Sequence, residues 1–347
     1  MSAPKPAGSA QSNVVERPSA QESGAWVRLP TRSDLLRLAP IIIPYMILAA
    51  LVAIYVPLQP GAFSLDELNI TAAATLTLLL VATGQTIVIL RGGIDLSVGG
   101  VISLTTSLAA TQLGNGGTTM LRWMGMIVAI GLVAGALNGA LLGLLKLQPF
   151  IVTLATWSIW SGVALWILPT EGGQIPNSFV TWANGTAFGL ATPVWLIIAL
   201  VIFWAWFKRT RLCVSVAASG SSARSAYLSG VPTVSTLVAT YALSGVFAAL
   251  AGLFLTTQTA SGSPFIGNDY ILPSVAAVVI GGTSLFGGRG GVGGTIAGAF
   301  ILTMIGNVVF VLKISSFWTP VVSGVLLILA VLSNSAMALY ASRQVYR

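Results

Sequence analysis

The sequence has few charges, no histidine and a single cysteine. Charged residues make up 7% of its 347 residues, whereas an ordinary soluble domain contains about 25%. Without histidine, and with Cys213 as the lone cysteine, the chain cannot build a histidine-based catalytic site, a zinc site or a disulfide framework. Chemistry of that kind would have to come from a partner protein.

The sequence is instead strongly apolar, with 55% hydrophobic residues and a mean hydropathy of +0.91. Apolar runs of roughly 15 to 23 residues recur, and these are long enough to cross a hydrocarbon core of about 30 Å. Because the runs do not alternate apolar and polar residues, a transmembrane β-barrel is excluded. We therefore predict an all-α polytopic membrane protein with about ten transmembrane helices. They are expected at residues 39–58, 70–90, 98–113, 123–145, 149–168, 193–207, 234–255, 270–280, 294–311 and 317–332.

The basic residues predict how the chain crosses the membrane. With a cytoplasmic amino terminus, 14 of the 16 Lys and Arg residues lie on the cytoplasmic side, and only Arg122 and Lys313 lie outside. The net charge of +8 is therefore interpreted as a topology signal and not as a nucleic-acid-binding surface. We expect a disordered cytoplasmic tail at residues 1–38, a transmembrane domain at 39–333 and a cytoplasmic tail at 334–347.

Ten residues, Arg91–Gly100 (RGGIDLSVGG), interrupt the apolar sequence between the second and third predicted helices. Asp95 within them is the only carboxylate in any apolar stretch. A broken helix in hydrocarbon must have its free backbone groups satisfied by protein or water. In one interpretation Gly92 ends the second helix in a left-handed conformation and Asp95 or Ser97 caps the third. In another, the stretch is a gate or conformational switch, and the two interpretations are compatible.

A second glycine-rich stretch, Gly281–Gly294 (GGTSLFGGRGGVGG), resembles Gly92–Gly100. Each stretch follows an apolar run, and five predicted helices per half is an odd number, so the second half must be inverted relative to the first. Inverted repeats with helices broken at matching positions are typical of transporters. We therefore predict two inverted five-helix repeats with broken helices. The predicted hinge or gating residues are Arg91, Gly92, Gly93, Asp95, Ser97, Gly281 and Gly282.

Other glycines indicate packing and not nucleotide binding. Gly131, Gly135, Gly139 and Gly143 recur every four residues, which predicts a smooth face that lets another helix approach closely. A G-x-G-x-x-G match also occurs from Gly288 onward, but no strand–turn–helix unit surrounds it. No Lys follows a glycine, so no phosphate-binding loop is present either. Any ATP hydrolysis must be supplied by another chain.

Three stretches resemble the permease subunits of bacterial ABC importers for monosaccharides, the ribose, xylose, arabinose and galactose group. They are GGIDLSVGG, the glycine-rich run Val278–Ala299, and LSGVP at Leu228–Pro232. The likeness spans roughly residues 39–333. Branched-chain amino-acid permeases have a similar fold but usually lack an Asp in this motif, so Asp95 favours the sugar branch.

The resemblance implies a transport subunit that carries a monosaccharide across the inner membrane by alternating access and catalyses no reaction itself. Its implied partners are a second permease subunit, identical or different, two ATPase subunits that use ATP and Mg, a periplasmic sugar-binding protein and membrane lipid, with no nucleic acid and no cofactor bound by this chain. The sequence departs from the family pattern at Arg91, where a small or hydroxylated residue is common, and at Ser222, Arg224 and Ser225. A branched-chain amino-acid permease and an ion-coupled secondary transporter remain alternatives.

The loop at residues 208–233 contains a short potential helix, Ser222–Leu228. On sequence alone it could be an ordinary basic loop. The resemblance implies a coupling helix that inserts into a cleft of the ATPase. The implied coupling residues are Ser222, Arg224, Leu228, Ser229 and Gly230.

The fifth predicted helix places polar and aromatic side chains on one face, at positions i, i+3, i+4 and i+7. These are Thr153, Thr156, Trp157 and Trp160. Hydroxyls and indoles suit a sugar, so this face is a candidate translocation pathway, with Thr319 and Ser323 on the tenth helix as counterparts. Alternatively, the aromatic residues face lipid or anchor the helix at the interface.

Overall fold

A computed structural model of the chain describes residues 32–114, 116–315, 317–325, 327–329 and 331–332. The chain divides into two units, Met1–Arg37 and Leu38–Arg347, and the packing contacts described below lie within the second. Most of the predicted amino-terminal tail and all of the predicted carboxy-terminal tail lie outside the described residues.

The described residues are almost entirely helical, with one two-stranded hairpin. The helices are α1 (Arg32–Leu58), α2 (Leu65–Leu90), α3 (Ser97–Gln112), α4 (Gly117–Leu145), α5 (Pro149–Ile167), α6 (Asn177–Ala183), α7 (Thr192–Phe207), α8 (Arg211–Ser221), α9 (Ala223–Leu228), α10 (Thr233–Thr259), α11 (Ile271–Ile280) and α12 (Val292–Val311). A 3₁₀ helix, Ile266–Tyr270, precedes α11, and β1 (Thr186–Ala187) pairs antiparallel with β2 (Leu190–Ala191). Residues 318–325 are also helical.

The prediction of a polytopic helical membrane protein is confirmed. Five helices, α2, α4, α5, α10 and α12, are long and apolar enough to cross a membrane, and several shorter apolar helices accompany them. The first helix begins at Arg32, seven residues before its predicted start, and the loop at 208–233 contains α8 in addition to the predicted short helix. α8 (RLCVSVAASGS) consists mostly of small residues and contains no long apolar run, so the sequence pattern did not predict a helix there.

Helix α2 lies at the centre of the molecule. It begins five residues earlier than predicted because the Ser64 side chain accepts a hydrogen bond from the Glu67 N–H at 3.1 Å, capping the first turn. From Thr75 to Leu90 every residue is buried. A helix that is apolar all round must be surrounded by other helices. The carboxyl end of α2, where the first break begins, is therefore fixed by helices packed on all of its sides.

The predicted glycine face of α4 packs against α10. A Cβ on Gly135 would overlap the Tyr241 carbonyl, one on Gly139 would lie 2.5 Å from the Val238 Cα, and Gly131 faces Gly245 in the same way. The backbones of α4 and α10 therefore touch where a side chain would separate them.

This contact predicts a specific loss of stability. Gly135→Ala places a methyl group on the Tyr241 carbonyl, and overpacking of this kind costs about 1–3 kcal/mol. Gly125→Ala on the same helix is a matched control because nothing lies within 4 Å of its Cβ position. We expect purified Gly135→Ala protein to unfold at a lower temperature than wild type, with Gly125→Ala close to wild type. Equal unfolding temperatures for the two variants would contradict close packing here.

The two predicted breaks have the same backbone geometry. After α2, Gly92 has φ +86°, the Gly92 N–H donates to the Ile89 carbonyl at 2.9 Å, and the Gly93 N–H donates to Val88 at 3.1 Å. After α11, Gly282 has φ +81° and the same two bonds form, from Gly282 to Val279 at 2.9 Å and from Thr283 to Val278 at 3.2 Å. Both helices thus end in the same glycine-dependent motif. The backbone geometry therefore makes Gly92 equivalent to Gly282. The sequence match had aligned Gly92 with Gly281, one residue earlier.

Candidate functional site

The first break is organised around the buried carboxylate of Asp95. Its Oδ1 accepts hydrogen bonds from the Ser97 N–H at 3.0 Å and the Ser97 hydroxyl at 2.6 Å, and its Oδ2 accepts one from Ser244 Oγ of α10 at 2.8 Å. Ser97 is the first residue of α3, so Asp95 satisfies a backbone N–H at the start of that helix, as one interpretation of the sequence predicted. Both carboxyl oxygens of Asp95 therefore accept hydrogen bonds from neighbouring groups.

Two further buried amides extend this cluster. Asn138 of α4 donates from Nδ2 to Ser97 Oγ at 2.7 Å. Gln85 of α2 bonds the backbone of Asp95 twice. In the amide orientation that satisfies both groups, its NH₂ donates to the Asp95 carbonyl and its oxygen accepts from the Asp95 N–H, each at 3.2 Å. We call Gln85, Asp95, Ser97, Asn138 and Ser244 the Asp95 cluster. It joins α2, α3, α4 and α10 at one point, so movement of any one helix disturbs the others.

Arg91 and Asp95 do not form an ion pair among the described residues. Asp95 bonds Ser97 and Ser244, whereas Arg91 donates from Nη1 to the Ser219 carbonyl at 3.4 Å. The Arg91 Nε is buried and has no hydrogen-bond partner. The two charges of the break therefore serve different contacts, one within the membrane helices and one with α8.

The end of α8 lies against both breaks at once. The Leu90 carbonyl, at the end of α2, accepts a hydrogen bond from the Gly288 N–H at 2.9 Å. A Cβ on Gly220 would overlap that same carbonyl and lie 2.8 Å from the Gly288 nitrogen. Only glycine fits at 220 without moving one of the three backbones. We call Leu90, Gly220 and Gly288 the junction, since it connects the two breaks to the loop that carries α8 and α9.

The short helix predicted in this loop forms as α9, one residue shorter than expected, and its coupling role stays a prediction. Ser222 caps it, accepting a hydrogen bond from the Ser225 N–H at 3.2 Å. Arg224, Leu228, Ser229 and Gly230 are all exposed, and Gly230 has φ +81°. Leu228 is 75% exposed and the neighbouring Tyr227 is 69% exposed, so α9 presents two large apolar side chains at the surface.

The residues predicted on the face of α5 are brought together, but their groups are used in different ways. Thr153 and Thr156 are buried and donate to carbonyls of their own helix, at 2.8 Å and 3.1 Å. Trp157 Nε1 donates to Asn268 Oδ1 at 2.9 Å, while Trp160 Nε1 is buried without a hydrogen-bond partner. Thr319 and Ser323 lie on the helical residues 318–325 and are half-buried.

The 3₁₀ helix beside this face carries polar residues that the sequence analysis did not select. Gly267 packs against the backbone of Gly99 in the first turn of α3, and its N–H donates to Ser103 Oγ at 3.2 Å. Asn268 and Asp269 follow it and are both exposed. The length of α11 could have indicated these two residues. With ten residues, α11 is too short to span a membrane, so the residues just before it are expected to lie within the protein.

Known proteins resemble the chain over most of its length. Residues 68–331 match the family described as branched-chain amino acid transport system, permease component. The ribose import permease protein of Haemophilus influenzae is 33% identical over 84% of this chain and 92% of its own length. The ribose import permease protein of Bacillus subtilis is 37% identical, covering 83% and 91%. The D-allose transport system permease protein of Escherichia coli is 33% identical, covering 83% and 89%.

No solved structure matches the chain. The family match covers well over half of the chain, and the aligned stretch covers about nine-tenths of each relative's length. The resemblance inferred from the sequence motifs is confirmed. The chain belongs to this family of permease components and is a multi-pass transport subunit of an ABC importer, not its ATP-hydrolysing subunit.

Proposed function

We propose that this chain is the membrane-spanning permease of an ATP-driven importer that carries a monosaccharide across the bacterial inner membrane. The observation that carries the proposal is the extended identity to permeases named for ribose and allose, 33% to 37% over more than four-fifths of the chain. Two copies, or this chain and a related one, form the pathway. Partner ATPases use ATP and Mg, and a periplasmic binding protein delivers the sugar.

The mechanism follows from the junction. When the ATPases bind ATP and close, they displace α9, whose exposed Arg224 and Leu228 provide the docking surface. The displacement reaches Gly220 at the end of α8 and, through direct backbone contact, the ends of both broken helices. Because the Asp95 cluster ties the first break to α4 and α10, these helices tilt with it and the pathway changes the side from which it opens.

We also propose that the chain comprises two inverted five-helix repeats with both termini in the cytoplasm. The matching end motifs at Gly92 and Gly282 support an internal repeat, because each ends an apolar helix with a left-handed glycine. The distribution of basic residues supports the orientation. Under this topology α9 and the junction lie at the cytoplasmic end, where an ATPase can reach them.

The sugar pathway, in this proposal, runs along the predicted face of α5 and the adjoining 3₁₀ helix. Asp269 is exposed and lies two residues after Gly267, whose backbone contacts Gly99 in the first turn of α3. A carboxylate facing lipid at that depth is costly, so its face must meet water or protein. The Trp157 indole donates a hydrogen bond to Asn268 beside this carboxylate. Together the three side chains offer hydrogen-bond acceptors and an aromatic ring, which are the groups that bind a sugar. Thr153, Thr156, Trp160, Thr319 and Ser323 remain predicted neighbours of this pathway.

Removing the exposed carboxylate tests this part of the proposal. A hydrogen bond to a charged group is worth about 1.5–3 kcal/mol, so Asp269→Asn is expected to raise the KM for sugar uptake by about tenfold. Asp66→Asn is the matched control, because Asp66 is also exposed but lies in the first turn of α2 at its outer end. Uptake by Asp269→Asn indistinguishable from wild type would remove this residue from the pathway.

The substrate class is tested by reconstituting the permease with its ATPase and binding protein in liposomes. We expect ATP-dependent accumulation of labelled ribose or allose and none of labelled leucine. Accumulation of leucine alone would favour the branched-chain amino acid alternative that the family description names. Accumulation without ATP, driven by an ion gradient, would overturn the proposal.

A further inference from the structure

A small cavity lies beside the first break. Its volume is about 140 Å³, and its lining includes Arg91, Gly93, Leu142, Leu147, Pro149 and Tyr241. These residues come from the end of α2, the end of α4, the start of α5 and the first third of α10. Under the proposed topology, all of them lie at the cytoplasmic membrane interface.

Two hydrogen-bond donors at this cavity have no partner. The Tyr241 side chain is fully buried, yet its hydroxyl is unpaired. That hydroxyl is adjacent to Gly93, another lining residue, since a Cβ there would lie 2.5 Å from it. Arg91 Nε is also buried and unpaired. Buried polar groups in folded proteins are normally satisfied, so two orphaned donors at one cavity indicate a missing acceptor.

The charge at the cavity is positive. Arg91 is half-buried, and the only hydrogen bond described for its side chain is the long one, at 3.4 Å, to the Ser219 carbonyl. Asp95 interacts electrostatically with Tyr241 but does not line the cavity, and its oxygens are occupied by Ser97 and Ser244. Arginine favours phosphate oxygens because its planar fork offers parallel N–H groups. A cation and a hydroxyl without acceptors therefore fit an anionic oxygen group.

The mouth of the cavity is apolar and cationic. Leu147 lines the cavity and is 46% exposed, and the neighbouring Leu145 and Phe150 are 60% and 57% exposed. Lys146, at the end of α4, lies between the two leucines and is exposed. Exposed apolar side chains beside a basic residue at the end of a membrane helix are the surroundings of a phospholipid headgroup.

We propose that this cavity binds a phosphate group, which Arg91 and the Tyr241 hydroxyl hold between the end of α2 and α10. The group is carried by an anionic phospholipid or is free inorganic phosphate. Bound there, it neutralises Arg91 and braces the first break against the helix that also bears Ser244.

The test measures binding and not transport, so it is independent of the sugar assignment. The full-length chain, purified in a neutral detergent, is titrated with phosphatidylglycerol, with phosphatidylcholine and with inorganic phosphate while its unfolding temperature is followed. We expect saturable stabilisation by phosphatidylglycerol or phosphate, and none by phosphatidylcholine. The affinity should fall about tenfold in Arg91→Gln and in Tyr241→Phe, each of which removes one donor.

Arg209→Gln is the matched control, since it removes an exposed basic residue on the same membrane face in the proposed topology but away from the cavity. It should bind as wild type does. If Arg91→Gln does not fold, Tyr241→Phe, which loses only an oxygen, decides the result. Stabilisation by phosphatidylglycerol alone identifies a lipid site, and stabilisation by inorganic phosphate identifies a free-anion site. No stabilisation by either, or equal binding in Tyr241→Phe and wild type, overturns the proposal.

Discussion

Asp95→Ala is expected to abolish most sugar uptake and to lower the stability of the permease. The substitution leaves the Ser97 N–H, the Ser97 hydroxyl and the Ser244 hydroxyl without their acceptor. Each buried donor left unsatisfied costs about 1–3 kcal/mol, and rotation of the two hydroxyls toward helix carbonyls recovers part of it. We expect a net loss of about 3 kcal/mol in the free energy of unfolding, and uptake reduced more than tenfold at equal abundance.

Asp95→Asn separates the geometric role of this side chain from its charge. The asparagine oxygen can accept both bonds from Ser97, and its NH₂ can donate to Ser244 once that hydroxyl turns. The cluster geometry is thus retained without the negative charge. We expect uptake by Asp95→Asn within about threefold of wild type, below the scale of a lost buried hydrogen bond. Unchanged uptake in Asp95→Ala at normal abundance would rule out any gating role, and equal losses in both variants would indicate that the charge itself is required.

Gly220→Ala is expected to uncouple ATP hydrolysis from transport. The added methyl group overlaps the Leu90 carbonyl and crowds the Gly288 N–H, so α8 must move away from both breaks. Because backbone atoms cannot rotate aside as a side chain does, this contact is lost and not merely loosened. α9 is unaltered, so the ATPase should still dock and hydrolyse ATP. We expect the ratio of sugar transported to ATP hydrolysed to fall about tenfold or more, as for loss of a coupling energy of 1–3 kcal/mol.

The control for Gly220→Ala is Gly306→Ala in α12, whose Cβ position has nothing within 4 Å. It should transport normally. A second pair of variants tests the docking surface itself, since charge reversal at Arg224 should prevent stimulation of the ATPase without disturbing the junction. If Gly220→Ala kept its transport ratio, the junction would be a packing contact without a role in coupling.

The sequence predicted the local parts of this site and missed the distant ones. The left-handed Gly92 and the capping of Ser97 by Asp95 depend on residues only a few positions apart, so their pattern is visible in the chain. Ser244, in contrast, lies 149 residues from Asp95, and Asn138 lies 41 residues from Ser97. Nothing in a single sequence distinguishes these residues from the many other Ser and Asn side chains within apolar helices.

The junction was hidden for a different reason. It consists of backbone contacts, and the only sequence sign of such a contact is a glycine. With 38 glycines in the chain, Gly220 could not be distinguished from the rest. The two matching helix ends were predicted, but their alignment was off by one residue. The sequence match aligned glycine pairs, whereas the backbone requires glycine only at the left-handed position after each helix.

The central claim is that the two breaks are hinges driven from α8 and α9. Hydrogen–deuterium exchange of the reconstituted importer, with and without a non-hydrolysable ATP analogue, tests it most directly because exchange reports local opening of backbone hydrogen bonds. We expect the analogue to change exchange at residues 91–97 and at residues 281–291 together, and Gly220→Ala to remove both changes. Exchange that is unaffected by nucleotide in wild type, or that responds equally in Gly220→Ala, would contradict the account.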